Sequence, residues 1–375
     1  MKALLIDKNL TIRPNLLKWE LLAKKNGIEL IGVTPEKWVE NYRTIALNHN
    51  ATFPVYPLKV VWPGYENRSF YIKGLRNTIR TFQADVVIVF EEPFSLFALQ
   101  SAILVKCFSP RSKIIFHTWD NLSKGKEYPY RPRFLYKRVE RFTMRRSVGL
   151  IAANQEAADY FSQTYKAAVK KIYFGIDLAS YRGYSVKNYI AGADRTTFIG
   201  YIGRIVRSKG IETLVRAMNL IEKRIHLMIV GNGPELNSIK ELVKSVELTD
   251  RVHFYPAVSA DEVAKYLSML RVLVLPSRTT DTWKEQYGRI LIEAMACGIP
   301  VVGSSSGAIP EVIGEAGLIF PEGDESVLAA HIQKIILIPE LWEQYSKAGR
   351  RRAEKFSASE FADSVYKFIS EQVSG

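Results

Sequence analysis

Cysteine is almost missing from this chain: Cys107 and Cys297 are the only two in 375 residues. So few exclude a disulfide scaffold and a cysteine-built zinc site, and they favour a reducing compartment. No apolar run approaches the roughly eighteen residues of a membrane-spanning helix. The opening Met1-Lys-Ala-Leu-Leu-Ile-Asp7 is too short for a signal-peptide core and reads as a buried strand. A cytoplasmic location is therefore expected. Neither a short-period repeat nor a low-complexity tract interrupts the sequence. With 47% hydrophobic and 24% charged residues the composition is ordinary for a globular protein. At this length a single core usually gives way to two, so two domains are expected.

Acidic residues are scarce in the first half. Residues 1–190 hold 30 Lys+Arg against 15 Asp+Glu, whereas residues 191–375 hold 22 against 23, so the formal charge of +14 is N-terminal. The excess is densest from Lys106 to Arg146, where aromatic and basic residues interleave in Tyr128-Pro-Tyr130-Arg-Pro-Arg-Phe134-Leu-Tyr136-Lys-Arg138. Such a surface suits anionic lipid, a phosphorylated acceptor or nucleic acid, and equally an ordinary solvated helix face. The run matches no nucleic-acid motif and the charge stops midway, so nucleic acid is not the expected partner.

Short apolar runs alternate with longer amphipathic stretches, the pattern of parallel α/β architecture. Strands are predicted at Ala3–Ile6, Glu29–Val33, Val86–Phe90, Lys113–Phe116 and Gly149–Ala152, with helices over Asn15–Lys25, Phe94–Lys106, Phe134–Arg146 and Gln155–Gln163. A polar, Gly-containing stretch follows, and its 184–195 portion reads as a linker. A second alternation runs through Thr197–Ile202, His226–Val230, Val252–Tyr255, Val272–Leu275 and Val301–Gly303, then becomes helical from Asp324. The expected domains are 1–183, joined by a final helix in 357–375, and 196–356.

Glu285 and Glu293 stand eight positions apart across a turn at Gly288 that leads into an apolar helix. Were the segment largely helical, a rise of about 1.5 Å per residue would separate the carboxylates by roughly 12 Å. That is too wide for the paired carboxylates of glycoside hydrolysis, which stand roughly 5–9.5 Å apart. It suits a ligand with a polyhydroxyl ring at each end and a diphosphate between, facing the free amides of a helix start. Gly203-Arg204 and Lys209-Gly210 follow the first strand of the second half, where ligands of parallel sheets bind, and supply two cations. Val230-Gly231-Asn-Gly233-Pro closes the next strand, but Leu236 stands where a dinucleotide fingerprint needs its third glycine.

In order, these segments, with Leu275-Pro-Ser277, Ala294-Met-Ala-Cys-Gly-Ile-Pro300 and Gly307-Ala-Ile-Pro-Glu311, resemble the second half of a retaining GT-B glycosyltransferase of family 4. Glu285 and Glu293 then correspond to that family's E-x7-E motif. The resemblance implies an α/β GT-B fold: two Rossmann-like parallel-sheet domains facing a central cleft, with the C-terminal helix crossing back to the first. It implies transfer of a sugar, with retention of configuration, from a UDP, GDP or ADP sugar to a saccharide or lipid-linked acceptor, in surface polysaccharide or glycolipid synthesis. Glu293 would bind ribose and Glu285 the donor sugar. Gly203, Gly231, Gly233, Tyr287, Gly288, Arg289, Ile290 and Leu291 would complete the donor site, with Arg204 and Lys209 on the diphosphate.

His117, just beyond a first-half strand, is the expected catalytic histidine, alongside Glu285, Arg204 and Lys209. The Gly-Gly loop that many members carry after the first strand is replaced here by Asp7-Lys-Asn-Leu-Thr-Ile-Arg13-Pro-Asn15. Arg13, Asn15 and Glu91 join His117 as acceptor-side candidates. No Asp-x-Asp triplet occurs, so neither a metal nor any other cofactor is expected. The basic half suggests an anionic acceptor and peripheral contact with the inner face of a membrane. Epimerase or hydrolase chemistry on the same fold, and a catalytically silent sugar-nucleotide sensor, remain open on sequence alone.

Overall fold

Strands buried on both faces read as near-continuous apolar runs, and Lys2-Ala-Leu-Leu-Ile6 is one: all but its first residue are fully enclosed. A computed structural model of the chain describes residues 1–40, 43–47, 50–122, 132–183 and 197–374. The expected linker 184–195 and Tyr128–Arg131 of the aromatic-basic run lie outside the described residues. The chain divides into two units, residues 1–177 with 357–375 and residues 178–356.

In the first unit the strands are β1 (Lys2–Ile6), β2 (Glu29–Pro35), β3 (Lys37–Glu40), β4 (Arg43–Ala46), β5 (Val55–Leu58), β6 (Val60–Val61), β7 (Phe70–Tyr71), β8 (Val86–Val89), β9 (Lys113–Thr118), β10 (Gly149–Ala152) and β11 (Ala168–Lys171). Seven form one parallel sheet in the order β11-β10-β9-β8-β1-β2-β5, and β3–β4 and β6–β7 are small antiparallel pairs. The helices are α1 (Leu17–Ala23), α2 (Leu75–Phe82), α3 (Leu96–Phe108), α4 (Arg133–Met144) and α5 (Gln155–Thr164). Helix α1 starts later than Asn15 because Arg13–Asn15, with Pro14 inside it, forms a separate 3-10 turn. Ser95 and Asn154 cap α3 and α5 by accepting the amides of Ala98 and Ala157.

The second unit opens with α6 (Ala179–Arg182), whose Tyr181 is buried. Residues 178–183 therefore lie in the second unit and not, as expected, in the first. Strands β12 (Thr197–Ile202), β13 (Ile225–Val230), β14 (Val252–Tyr255), β15 (Val272–Leu275), β16 (Val301–Ser304) and β17 (Gly317–Phe320) form a parallel sheet in the order β14-β13-β12-β15-β16-β17. Helices α7 (Ile211–Ala217), α8 (Leu236–Ser245), α9 (Ala260–Leu267), α10 (Arg289–Cys297), α11 (Ile309–Ile313), α12 (Glu325–Leu337) and α13 (Pro339–Ala353) accompany it.

The last helix, α14 (Ala358–Ser374), belongs to the first unit. Its Phe361 is buried edge-on against Trp19 of α1, with ring centroids 5.0 Å apart, and lies 5.9 Å from Phe90. The Ala358 amide bonds to the Ile176 carbonyl at 2.9 Å, and Lys25 pairs with Asp363. Removing the Phe361 ring leaves a cavity between α1 and α14. Phe361→Ala should cost about 3–5 kcal/mol in the first unit, measured by urea unfolding, while a change at exposed Glu371 should cost little.

Candidate functional site

Loops at the carboxyl ends of β12, β13, β15 and β16 build the site of the second unit. The first two loops are nested: Ile205 donates its amide to the Asn232 carbonyl at 2.9 Å, and Gly203 donates to Val230 at 3.0 Å. A Cβ on Gly231 would stand 1.9 Å from the Gly203 carbonyl oxygen, so only glycine permits this approach.

Glu285 precedes α10 and is 7% exposed. Its Oε2 accepts Ser277 Oγ at 2.7 Å and Lys209 Nζ at 2.5 Å. Lys209 Nζ also lies 4.8 Å from the centre of the Trp283 ring. The Glu285 backbone is fixed as well, since its carbonyl accepts the Ala308 amide at 2.8 Å. Gly307, at φ +51°, passes so close that a Cβ would meet that oxygen at 2.1 Å.

Glu293 lies in the second turn of α10 and is 6% exposed. Its Oε1 accepts Arg289 Nε at 2.6 Å and the Tyr181 hydroxyl at 2.9 Å, whereas Oε2 takes no hydrogen bond among the described residues. Burial and the Glu293 charge hold the Tyr181 phenol well above its usual range. The same two causes push the Cys297 thiol up to about 12, which keeps it protonated and inert. Two carboxylates thus stand at one sheet edge, each fixed by its own cation and hydroxyl.

Residues 190–352 match the family model described as glycosyl transferases group 1. The second unit belongs to that family. Among relatives, N-acetyl-alpha-D-glucosaminyl L-malate synthase of Bacillus anthracis is 31% identical over 209 residues, 55% of this chain and 52% of its own. A GDP-mannose-dependent alpha-(1-6)-phosphatidylinositol monomannoside mannosyltransferase of Mycolicibacterium smegmatis is 29% identical over 159 residues, 40% of this chain and 42% of its own. The chain thus spans about half the length of the relatives it matches. Sucrose-phosphate synthase of Thermosynechococcus elongatus superposes with a TM-score of 0.72 at 21% identity, covering 99% of this chain and 98% of its own. HepE of Anabaena, in complex with UDP, also gives 0.72, at 18% identity, covering 99% and 100%. These likenesses assign the GT-B fold, with a Rossmann-like parallel sheet in each unit.

Within the group 1 unit, several expected residues stand differently from their sequence-based roles. Only Arg289 onward is helical in the Glu285–Glu293 spacing, because Gly288 caps α10 at φ +68°; a continuous helical rise therefore does not describe the separation. Tyr287 turns its side chain inward against Phe356, 6.1 Å between ring centres, so only its backbone is available at the helix entry. Leu291 is core and Ile290 half-buried. Arg289 faces Glu293 and not the space before the helix. Arg204 is exposed, and its carbonyl accepts the Tyr201 hydroxyl at 2.6 Å. Ser277 stands out in the sequence only as part of a motif, and Tyr181 and Trp283 are partners that the motifs do not include. Trp283, two positions before Glu285, could be found from its place beside the motif, whereas Tyr181 is 112 positions from Glu293.

In the first unit the candidates sit near the ends of β1, β8 and β9. His117 is buried and stacked on Phe90 at 3.7 Å, and its Nδ1 makes no hydrogen bond among the described residues. Burial, then the charges of Lys18 and Lys8, hold the imidazole well below its usual pKa, so it is neutral. Glu91 is not an open carboxylate. It is buried, accepting Lys8 Nζ at 2.8 Å and the Lys8 amide at 3.0 Å, and burial raises its carboxyl to about 7 against the pull of Lys8. Neighbouring Glu92 accepts Thr118 Oγ1 and the Trp119 amide. Arg13 is exposed and pairs with Glu20 at 3.1 Å, while Asn15 is buried and its Oδ1 makes no hydrogen bond among the described residues.

A histidine held neutral by folding takes up its proton only on unfolding, so its contribution to stability is present above pH 6.5 and is lost as pH falls below it. From pH 7.5 to 5.5 the wild type should lose up to about 1.4 kcal/mol more than His117→Phe, read from urea unfolding at both values. Equal losses would contradict a buried neutral imidazole.

Proposed function

We propose that this chain is a glycosyltransferase that moves a sugar from a nucleoside diphosphate to an acceptor with retention of configuration. The observation that carries this reading is the pair of separately clamped glutamates flanking the start of α10. Ionised carboxylates accept hydroxyl hydrogen bonds, so Glu293, through Oε2, would hold the ribose and Glu285 the transferred sugar. The diphosphate would lie between them, against the α10 amides around Gly288, with Arg204 and Lys209 countering the charge that develops as the C–O bond breaks. Lys209, already on Glu285, would link sugar recognition to phosphate recognition. Leaving-group charge handled by cations and amides needs no metal, so transfer should be metal-independent.

For retention, attack would come on the face the phosphate leaves, assisted by that phosphate. The first unit, with its basic excess and with His117 near the ends of its strands, would take the acceptor, and the charge favours an anionic one. No described helix is long and apolar enough to cross a membrane. A cytoplasmic place and a role in surface polysaccharide or glycolipid synthesis complete the proposal. The relatives named above include a GDP-mannose-dependent enzyme and a UDP complex, so the base is best found by experiment.

Thermal-shift titration with UDP, GDP and ADP and their sugar conjugates should show one preferred base, a ligand at 100 times its dissociation constant stabilising by about 2.7 kcal/mol. Glu293→Gln should weaken free nucleotide and conjugate alike by about tenfold or more, whereas Glu285→Gln should spare the nucleotide and weaken only the conjugate. Equal effects of both variants on both ligands would overturn the division of labour. Turnover should also survive EDTA; loss restored by magnesium or manganese would refute metal independence.

A further inference from the structure

The strongest unexplained feature lies on the β6–β7 ribbon of the first unit. Val60 pairs with Tyr71 and Val61 with Phe70, and the Ile72 amide bonds to the Lys59 carbonyl at 2.9 Å. Tyr71 and Val60 pack into the core. By alternation Lys59, Val61, Phe70 and Ile72 share the opposite, outward face. At the turn, Trp62 adopts φ +51°, which a bulky side chain rarely does, and its ring stands edge-on to Phe70 at 6.4 Å. Its carbonyl is fixed by Ser69 Oγ at 2.7 Å and by the Tyr65 amide at 3.1 Å. A strained backbone is being held so that Trp62 is 57%, Tyr65 62% and Ile72 59% exposed.

The charge along this stretch of chain is mainly positive. Between Val55 and Phe82 stand Lys59, Arg68, Lys73, Arg76 and Arg80 against the single acid Glu66, which itself lies 3.9 Å from Lys8. The start of α4 repeats the combination, with Phe134 63% and Leu135 50% exposed and Lys137, Arg138 and Arg141 on the surface beside them. Both elements attach to one short segment: the Leu96 amide bonds to the Asn67 carbonyl at 3.1 Å, and the Phe94 ring packs against Tyr136 at 6.0 Å.

We propose that this edge of the first unit docks on an anionic lipid bilayer, with Trp62, Tyr65 and Ile72 entering the headgroup region and Lys59, Arg68 and Lys73 pairing with lipid phosphates. Tryptophan and tyrosine beside aliphatic side chains and cations is the composition favoured at a membrane interface. A saccharide platform would instead surround the ring with fixed polar side chains, and here the ring recorded against Trp62 is the apolar Phe70. The docking reading stands on the ribbon alone and does not depend on the transfer reaction.

The test is cosedimentation of the full chain with vesicles of phosphatidylcholine containing phosphatidylglycerol, compared with phosphatidylcholine alone. Wild type should bind only the anionic vesicles and should release as salt rises. Trp62→Ser with Tyr65→Ser should weaken binding by about tenfold, and Lys59→Glu with Lys73→Glu by about tenfold or more, with unchanged melting temperatures because all four positions are exposed. Wild-type indifference to anionic vesicles at low salt would overturn the proposal, as would undiminished binding by both variants. If wild type ignores vesicles and the aromatic variant loses affinity for soluble dextran, the tip is a saccharide site and the proposal fails.

Discussion

Keeping two carboxylates charged at a largely buried sheet edge is the constraint around which the second unit is arranged. A buried anion is costly unless it is paired and hydrogen-bonded, and neither glutamate could persist on solvent alone. Glu285 is satisfied by Lys209 from the loop after β12 and Ser277 from the loop after β15. Glu293 is satisfied by Arg289 on its own helix and Tyr181 from the opening segment of the unit. Four separate stretches of chain must therefore be in register before both charges are stable. The glycines at 231 and 307 follow from the same demand, since they let backbones close to the distances that this convergence requires.

Much of the fold was legible because parallel strands buried on both faces leave uninterrupted apolar runs. The less visible strands share a reason for it. β5 reads Val-Tyr-Pro-Leu and β11 reads Ala-Val-Lys-Lys; both lie at sheet edges, half exposed, and neither needs an apolar run. The site was legible where chemistry fixes residue type, at the glutamates, Lys209 and the glycines. Partners brought in from far along the chain, such as Tyr181 to Glu293 across 112 positions, leave no local pattern. The inward turn of Tyr287 was equally hidden, since a tyrosine beside a glycine cap reads alike whether it faces ligand or core.

The first unit handles charge differently. There the acid at the end of β8 is neutralised internally by Lys8, and His117 is sealed against Phe90 and kept uncharged. Of its candidates Glu91 is satisfied within the unit, whereas His117 Nδ1 and Asn15 Oδ1 take no hydrogen bond among the described residues. Two cations, Lys8 and Lys18, are buried in this unit, and Lys59, Arg68, Lys73, Lys137, Arg138 and Arg141 are exposed. Glu91, with its raised carboxyl, marks where burial outweighs pairing.

The placement of α14 has a consequence for the order in which the molecule is made. Residues 1–177 leave the ribosome first, yet the apolar face at Trp19 and Phe90 is covered by Phe361, near the opposite end of the chain. During vectorial synthesis the second unit can close its own core as soon as residue 356 is free, while the first waits with that face uncovered. The earlier-synthesised unit is thus the later one to complete its core.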